Sequence, residues 1–352
     1  MQILTSQLPR QLTLFTTFLK CAMKAFWHRR YRGPRYANWS WLMESVADVT
    51  IDAVPKREQV AAEEIRELFR RTAALPVPTL ATITPITLGG VAGECQTPRH
   101  TADGRVVLFF HGGGYIAGSP QSHRLLTTRI AKEAQAVLYS MEYRLAPEHP
   151  YPAALEDAWR AYWGLLEQGV APQKIVLGGD SAGGGLSLAL LLAAREAHLP
   201  LPAAAFCLSP FLDLSCETAS VQVGDLAARL HADVHGNEAA SEQALADYLN
   251  LHVLRYSAHA YVAGADARDP YVSPLFADLH GLPPLLIQAG STEVLAGDAI
   301  QLAEQARRAG VDVQLSLAPH MIHVYQFLYH IAPEAEEAVR EIGRFVQNQV
   351  CL

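Results

Sequence analysis

One serine of this chain stands in a pattern that suits nucleophilic catalysis. Residues 179–183 form a G-x-S-x-G motif that consists of Gly179, Asp180, Ser181, Ala182 and Gly183. The motif joins a short apolar run to a helix-like stretch, and its outer glycines allow the sharp strand-to-helix turn that exposes a serine hydroxyl. The amides at the start of the helix then face the negative charge that develops during attack on a carbonyl. We therefore predict that Ser181 is a nucleophile for acyl transfer.

Two other glycine-rich motifs, both of which bind nucleotides, do not fit this stretch. A phosphate-binding loop of the form G-x-x-x-x-G-K-[ST] requires a lysine, and none is present here. A dinucleotide fingerprint, G-x-G-x-x-G, requires its second glycine where Asp180 stands. A G-x-S-x-G motif between a strand and a helix thus indicates acyl chemistry rather than nucleotide binding.

A run of three glycines supplies a second element of the same chemistry. The run comprises Gly112, Gly113 and Gly114, and it follows His111 at the end of an apolar run. Consecutive glycines let backbone amides face one point, as an oxyanion hole requires. We predict the amides of Gly113, Gly114 and Ala182 as the donors. His111 then serves as a hydrogen-bonding brace rather than as a base; a plain flexible turn is the alternative interpretation of the glycines.

Short apolar runs alternate with longer amphipathic stretches from residue 104 onward. The apolar runs are 106–110, 136–141, 175–178, 203–208, 284–289 and 311–317. The helical stretches are 123–134, 152–168, 182–197, 298–308 and 334–349. This alternation is typical of an α/β fold with a mostly parallel central sheet flanked by helices.

Two parts of the chain interrupt the alternation. The alanine-rich segment 215–265 contains four histidines and suggests a cap-like insertion above the sheet. The N-terminal residues 1–75 contain a basic amphipathic stretch and a charged helical stretch at 58–73. We predict that these two parts form a helical cap, and that residues 76–352 form the catalytic α/β domain.

Four motifs together resemble those of the hormone-sensitive-lipase-like branch of the α/β-hydrolase carboxylesterases. They read HGGG at 111–114, YRLAPE at 143–148, GDSAGG at 179–184 and DPYVSP at 269–274. They occur in the order of that family, and the resemblance covers roughly residues 55–347. It implies an α/β-hydrolase fold with a helical cap. It also implies that Arg144 and Glu148 pair to hold a loop.

The resemblance further implies a serine–acid–histidine triad in that chain order, with Ser181 as its first member. The histidine position of the family corresponds to His323, after the last apolar run. The acid position corresponds to Glu293, where the family more often has aspartate. Asp298 is the alternative acid, although its spacing also fits a capping box for the next helix. His320 replaces a glycine common in the family, and we expect it in the pocket wall or at the surface.

These residues predict a serine carboxylesterase that needs no cofactor or metal. Ser181 would attack an ester carbonyl while His323, held by Glu293, takes its proton, and water would then hydrolyse the acyl-enzyme. Activity should fall as the pH drops through the His323 pKa, which we expect near its ordinary value of about 6.5. The apolar cap segments favour small-molecule esters with short to medium uncharged acyl chains. Lactone hydrolysis, amidase or deacetylase action, and a non-catalytic ligand-binding protein stay open as alternatives.

The composition excludes some partners and compartments. The 28 Lys and Arg against 35 Asp and Glu give a net charge of −7, which argues against a nucleic-acid partner. The five cysteines are scattered without a metal-ligand spacing, so neither a disulfide framework nor a zinc site is expected. Such cysteine usage indicates a reducing compartment such as the cytoplasm. A homo-oligomer stays open.

The first 43 residues contain seven basic side chains and no acid. Apolar residues recur at helical spacing over residues 8–30, which predicts an amphipathic helix that begins near Pro9. This helix either packs on the body of the protein or contacts an anionic membrane surface weakly. Lys20 and Lys24 interrupt the apolar stretch, which argues against a transmembrane span. The charges follow the apolar part, unlike those of a signal peptide, whereas a transit peptide stays open.

Overall fold

Eight strands form one mixed sheet in the computed structural model, which describes residues 2–55, 60–74, 76, 78, 80–102, 104–217 and 247–350. The strands are β1 (Ala81–Leu88), β2 (Val91–Pro98), β3 (Val106–Phe110), β4 (Val137–Met141), β5 (Ile175–Asp180), β6 (Ala204–Leu208), β7 (Leu285–Gly290) and β8 (Val313–Ala318). Their order across the sheet is β1-β2-β4-β3-β5-β6-β7-β8. β2 is antiparallel to β1 and β4, and all other neighbours are parallel. The predicted mostly parallel sheet is thus confirmed.

Helices cover both faces of the sheet. Within the described residues they are α1 (Gln2–Arg32), α2 (Trp41–Ala53), α3 (Ala62–Ala73), α4 (Pro120–Ala134), α5 (Ala153–Glu167), α6 (Ala182–Glu196), α7 (Leu251–Val262), α8 (Ala296–Arg308) and α9 (Pro333–Gln349). α5, α6 and α8 pack on one face, and α4 and α9 pack on the other. Each face therefore has its own cluster of buried apolar side chains.

The central strands β3, β5, β6 and β7 are buried along their whole length. Burial on both faces explains why they appear in the sequence as continuous apolar runs rather than as alternating patterns. Parallel pairing places Phe110 beside Gly179 and Gly290 beside Ala318. The carboxyl ends of these strands therefore meet at one edge of the sheet, where active sites of such folds lie.

The hairpin of β1 and β2 was not predicted. Its strands lie at one end of the sheet and contain many exposed or half-buried residues, so they have no continuous apolar run. Gly89 and Gly90 connect them, with φ of 55° and 83°. Two positive φ values in a two-residue connection are typical of the tight turns that join antiparallel strands. This glycine pair is the signal that could have revealed the hairpin.

The N-terminal helix α1 begins at Gln2, so the predicted start near Pro9 is wrong. A proline removes only the hydrogen bond that its own nitrogen would donate, and the helix continues on both sides of Pro9. α1 packs along α2, where Arg29 binds Glu44 at 2.7 Å and Arg35 binds Asp48 at 2.7 Å. Across the part of the chain that is described, the helices are too short or too polar to cross a membrane.

The segment after α1 reaches the loop that follows β8. The indole of Trp39 is buried, and its Nε1 donates to the carbonyl of His320 at 2.9 Å. The ring of Tyr36 stacks on the imidazole of His320, with 4.5 Å between the ring centroids. Asn38 donates from Nδ2 to the carbonyl of Pro319 at 3.1 Å. His320 is therefore a packing residue between the N-terminal segment and this loop.

Helices α3 and α7 lie together beside the glycine run that follows β3. The amide of Ala62 in α3 donates to the hydroxyl of Tyr256 in α7 at 3.1 Å. Tyr261 of α7 stacks on Tyr115, next to the glycine run, with 3.9 Å between the ring centroids. Of the predicted insertion between β6 and β7, residues 218–246 lie outside the described residues, whereas α7 lies within them.

The predicted ion pair between Arg144 and Glu148 is wrong. Arg144 binds Asp157 at 2.9 Å and Glu156 at 2.8 Å, both at the start of α5. Glu148 binds Arg66 of α3 instead. Asp157 also accepts the backbone amide of Arg144 at 2.9 Å, and this second bond holds the arginine against α5. The loop is thus held to two helices rather than to itself.

Candidate active site

Ser181 lies in a strained turn between β5 and α6. Its φ of 53° and ψ of −119° fall in a region that residues other than glycine seldom adopt. Its amide donates to the carbonyl of Leu208 at 2.8 Å, which fixes the turn against the end of β6. A Cβ on Gly179 would overlap the carbonyl of Gly183, so the close approach of strand and helix requires glycine. Ser181 itself is 7% exposed.

The glycine run lies next to this turn. Gly113 and Gly114 have positive φ, 122° and 63°, which turns the chain sharply after β3. The amide of Gly112 donates to Oδ1 of Asp180 at 2.9 Å and so joins the run to the end of β5. Among the described residues, no acceptor lies on the amides of Gly113, Gly114 and Ala182. These are the three amides predicted as oxyanion donors, and their availability supports that prediction.

His111 is fully buried beneath the glycine run. Its Nδ1 donates to the carbonyl of Gly112 at 2.8 Å, and the hydroxyl of Tyr143 donates to the carbonyl of His111 at 2.7 Å. Burial, and then the neighbouring His123, lower the pKa of His111 to about 3. The imidazole is therefore neutral at physiological pH. These contacts support its predicted role as a brace.

His323 and Glu293 face each other at the same edge of the sheet. Nδ1 of His323 lies 3.6 Å from Oε1 of Glu293, and within the described residues neither atom has a hydrogen-bond partner. The residues are 4% and 1% exposed. The distance exceeds that of a hydrogen bond, as often happens in active sites without a bound substrate. A carboxylate at Nδ1 leaves Nε2 of the imidazole for proton transfer.

The surroundings of His323 raise its pKa above the ordinary value. Burial alone lowers the pKa, but the carboxylates of Glu293, Asp247 and Asp180 together outweigh burial and raise it. The imidazole therefore binds a proton more strongly than an ordinary histidine. The expectation of a near-ordinary pKa was wrong because only one of these carboxylates, Glu293, had been expected at the imidazole.

Asp298, the alternative acid, lies in the first turn of α8 but does not cap that helix. The residue at the N-cap is Leu295, without a side-chain cap. Oδ2 of Asp298 instead accepts the amides of Leu212 at 2.8 Å and Asp213 at 3.1 Å. The predicted capping box is therefore wrong, because this carboxylate holds the chain that follows β6.

Ser209 is a residue of this site that was not predicted. It follows β6, and its hydroxyl donates to Oε2 of Glu293 at 2.8 Å. The same hydroxyl accepts the amide of Val324 at 3.0 Å. Ser209 thus connects the loop of Glu293 to the loop of His323. Its position directly after an apolar run was the available signal, but serine is too common there to be singled out.

Asp247 is a second residue that was not predicted. It is 7% exposed and lies just before α7. Its carboxylate contacts the backbone beside Glu293 and at His323. No motif marks it in the sequence, since its neighbours along the chain belong to neither loop.

This edge of the sheet combines three chemical functions. It has a serine in a strained turn, an imidazole paired with a carboxylate, and backbone amides for which the described part of the chain supplies no acceptor. A nucleophile, a general base and an oxyanion hole are the parts that acyl transfer requires. The arrangement therefore suits hydrolysis through a covalent acyl intermediate.

The chain matches a known protein family over most of the sheet. Residues 107–327 match the family described as having the alpha/beta hydrolase fold. The matched region includes the serine turn, the glycine run and the loops of Glu293 and His323.

Curated proteins and solved structures are also similar to this chain. An acetyl-hydrolase of Streptomyces hygroscopicus is 44% identical over 75% of this chain and 82% of its own length. An esterase of Acinetobacter venetianus is 32% identical over 88% of this chain and 96% of its own length. The crystal structure of an esterase from the bacterial hormone-sensitive lipase family has a TM-score of 0.76 and 35% identity, and it covers 87% of this chain and 98% of that one.

Proposed function

This chain belongs to the alpha/beta-hydrolase-fold family and is similar to bacterial hormone-sensitive-lipase esterases, and we propose that it is a serine carboxylesterase. The observation that carries the proposal is the combination of the strained Ser181 turn with the facing pair of His323 and Glu293. Structural serines rarely need such a backbone, and structural histidines rarely need a buried carboxylate beside them. The name of the acetyl-hydrolase relative supports substrates with short acyl chains.

The reaction proceeds in two halves. His323 takes the proton of Ser181 as the hydroxyl attacks the ester carbonyl, and Glu293 stabilises the resulting imidazolium. The amides of Gly113, Gly114 and Ala182 stabilise the oxyanion. His323 returns the proton to the leaving alcohol. Water then attacks the acyl-enzyme with His323 again as base, and His323 passes that proton to the oxygen of Ser181 as the carboxylic acid is released.

Replacement of the nucleophile tests this function. Ser181→Ala should lower kcat for p-nitrophenyl acetate or butyrate by at least about 10³-fold, since no covalent intermediate can form. Ser45→Ala is a matched control, because Ser45 is a buried serine whose hydroxyl bonds within α2, to the carbonyl of Trp41. Activity of Ser181→Ala near that of wild type would contradict the proposal.

Covalent labelling separates an enzyme from a ligand-binding protein. An organophosphonate should label wild-type protein with one equivalent and leave Ser181→Ala unlabelled. A protein that only binds esters would remain unlabelled in both forms. A panel of acyl esters, lactones and acyl amides then assigns the leaving group, with the highest kcat/KM expected for short-chain esters.

We infer that residues 1–75 and 215–265 flank the entrance to this site as a cap. The support comes from described contacts of α3 and α7 with the loops at the sheet edge. Arg66 of α3 donates to the carbonyl of Ile116 at 2.8 Å, and a Cβ on Gly114 would overlap Ser257 of α7. Ser257→Leu should therefore change the acyl-chain preference measured across p-nitrophenyl esters, and an unchanged preference would contradict this placement.

We further infer that the exposed side of α1 contacts anionic membrane surfaces. Large apolar side chains lie there at helical spacing: Leu19, Met23, Phe26, Trp27 and Tyr31 are 48%, 50%, 55%, 54% and 76% exposed. The cationic side chains of Lys20, Arg30 and Arg32 are exposed among them. Aromatic and basic side chains on one helix suit the interface of an anionic bilayer. A cytoplasmic protein that associates peripherally with membranes fits these features.

Vesicle sedimentation tests the membrane contact. Wild-type protein should sediment with vesicles of phosphatidylserine and phosphatidylcholine, and less so at high salt or with phosphatidylcholine alone. Phe26→Ser with Trp27→Ser should abolish sedimentation, whereas Trp163→Ser, at a residue 42% exposed on α5, should not. Sedimentation that is unaffected by the double substitution would overturn the inference. The inference would also be overturned if the protein dimerised in a concentration-dependent way and the double substitution abolished the dimer. A second copy of the chain would then cover the exposed side of α1.

A further inference from the structure

One carboxylate from outside the sheet holds the backbone of two loops at the candidate active site. Oδ1 of Asp247 accepts the amide of His323 at 3.0 Å. Oδ2 of the same side chain accepts the amide of Val294 at 3.2 Å. Val294 directly follows Glu293, so the two bonds reach the residues that carry the imidazole and its carboxylate partner.

Asp247 and the two amides that it binds belong to three different segments of the chain. Asp247 belongs to the segment between β6 and α7, whereas the two amides belong to loops that follow β7 and β8. Its carboxylate is buried, and burial of a charge is unfavourable unless hydrogen bonds compensate for it. A neutral side chain of similar size would fill the same space with a smaller loss of folding free energy. The buried charge of Asp247 therefore suggests a role beyond packing.

The charge acts on His323 as well as on the backbone. The charges of three carboxylates on different elements act on this imidazole: Glu293 after β7, Asp180 at the end of β5, and Asp247 before α7. Burial raises the pKa of Asp247 to about 6, and the charge of Glu293 contributes in the same direction, while His323 opposes both. Above that pH the Asp247 side chain is ionised and favours the protonated form of the imidazole.

We propose that Asp247 is a positioning residue that sets the separation of His323 from Glu293 and stabilises the imidazolium formed during catalysis. The proposal rests on the proposed esterase function. Its two bonds fix the backbone of both loops, and its charge supplements that of Glu293. The predicted cap segment 215–265, which contains Asp247, thus also helps to position the proposed base, His323.

The test compares three variants on p-nitrophenyl butyrate. Asp247→Asn keeps the shape but places a donor opposite one of the two amides and removes the charge. We expect a decrease in kcat of about 10- to 100-fold with little change in KM, as for a small misplacement of reacting groups. The acid limb of the kcat/KM profile should move to lower pH, because His323 loses a charge that raises its pKa.

Asp298→Asn is the matched control, because Asp298 is also a buried carboxylate that accepts two backbone amides. It should leave the acid limb at its wild-type pH even if it lowers the melting temperature. Asp247→Glu retains the charge, so its acid limb should stay near that of wild type while kcat remains reduced.

A wild-type kcat and an unchanged acid limb in Asp247→Asn would overturn the proposal. If Asp247→Asn does not fold, Asp247→Glu is used as the test instead. A wild-type kcat in Asp247→Glu would overturn the proposal. Failure of the esterase function is recognised separately, because wild-type protein would then not react with the organophosphonate at all.

Discussion

The hydroxyl of Ser209 donates a hydrogen bond of 2.8 Å to Oε2 of Glu293. Ser209 follows β6 and Glu293 follows β7, so the bond joins the ends of two neighbouring strands. The amide of Gly290 donates to the same oxygen at 2.9 Å. Oε2 is therefore held by two donors, which leaves Oε1 to face His323.

Ser209→Ala should reduce activity without removing any group of the proposed triad. The substitution frees Oε2 of Glu293 from one donor and leaves the amide of Val324 without its acceptor. A buried amide without a partner costs about 1–3 kcal/mol of stability. We expect kcat to fall by about 10-fold or more as the carboxylate loses its orientation. Thr128→Ala, which removes a hydroxyl from α4, is the control for kcat and melting temperature. Equal kcat for both variants would contradict the role of Ser209.

Substitution of the two candidate acids, Glu293 and Asp298, should affect kcat and stability in opposite proportions. Glu293→Gln removes the charge that faces Nδ1 of His323, and we expect kcat to fall by about 10³- to 10⁴-fold. Asp298→Asn should affect stability more than kcat, because its carboxylate binds the amides of Leu212 and Asp213. Steady-state kinetics with melting curves for both variants separates the roles. A larger loss of kcat in Asp298→Asn would reverse the assignment.

The pH dependence of the wild-type enzyme follows from the environment of His323. The imidazole acts as a base only when neutral, and nearby carboxylates raise its pKa above 6.5. The protonated, inactive form therefore persists to higher pH than for an ordinary histidine. The acid limb of kcat/KM for p-nitrophenyl butyrate should have its inflection above pH 6.5. An inflection at or below that value would show that burial outweighs the carboxylates.

The glycine run offers a test of the oxyanion hole. A Cβ on Gly114 would overlap the side chain of Ser257, and its φ of 63° disfavours other residues. Gly114→Ala should displace the amide and lower kcat by about 10²- to 10³-fold. Gly90→Ala is the control, because Gly90 also has positive φ but has open space around it and lies in the β1–β2 connection. Similar losses of kcat in both variants would indicate a general effect of strain.

The strand-and-helix order of the sheet and the position of Ser181 could be predicted from local patterns. Strands buried on both faces must be continuously apolar, and a serine in a strand-to-helix turn must have small neighbours. Such constraints act over a few consecutive residues and therefore remain visible along the chain. The exposed hairpin of β1 and β2 lacks this constraint, and only the pair Gly89 and Gly90 marked it.

The partners of buried charges could not be predicted in the same way. Arg144 binds Asp157 rather than Glu148, and Asp298 binds backbone amides rather than capping its helix. Each carboxylate has several suitable partners within the sequence, and spacing alone does not rank them. The direction in which each loop leaves the sheet decides which partner is within reach.

The sequence by itself determined the turn that carries Ser181, the glycine run and the order in which the strands follow one another, because each depends on neighbouring residues. Only the tertiary structure decided how Ser209 and Asp247 contact the loops of Glu293 and His323. Those contacts join residues up to 115 positions apart, as from Ser209 to Val324. A hydrogen bond over such a distance depends on how whole strands and loops pack, and a one-dimensional pattern does not contain that information.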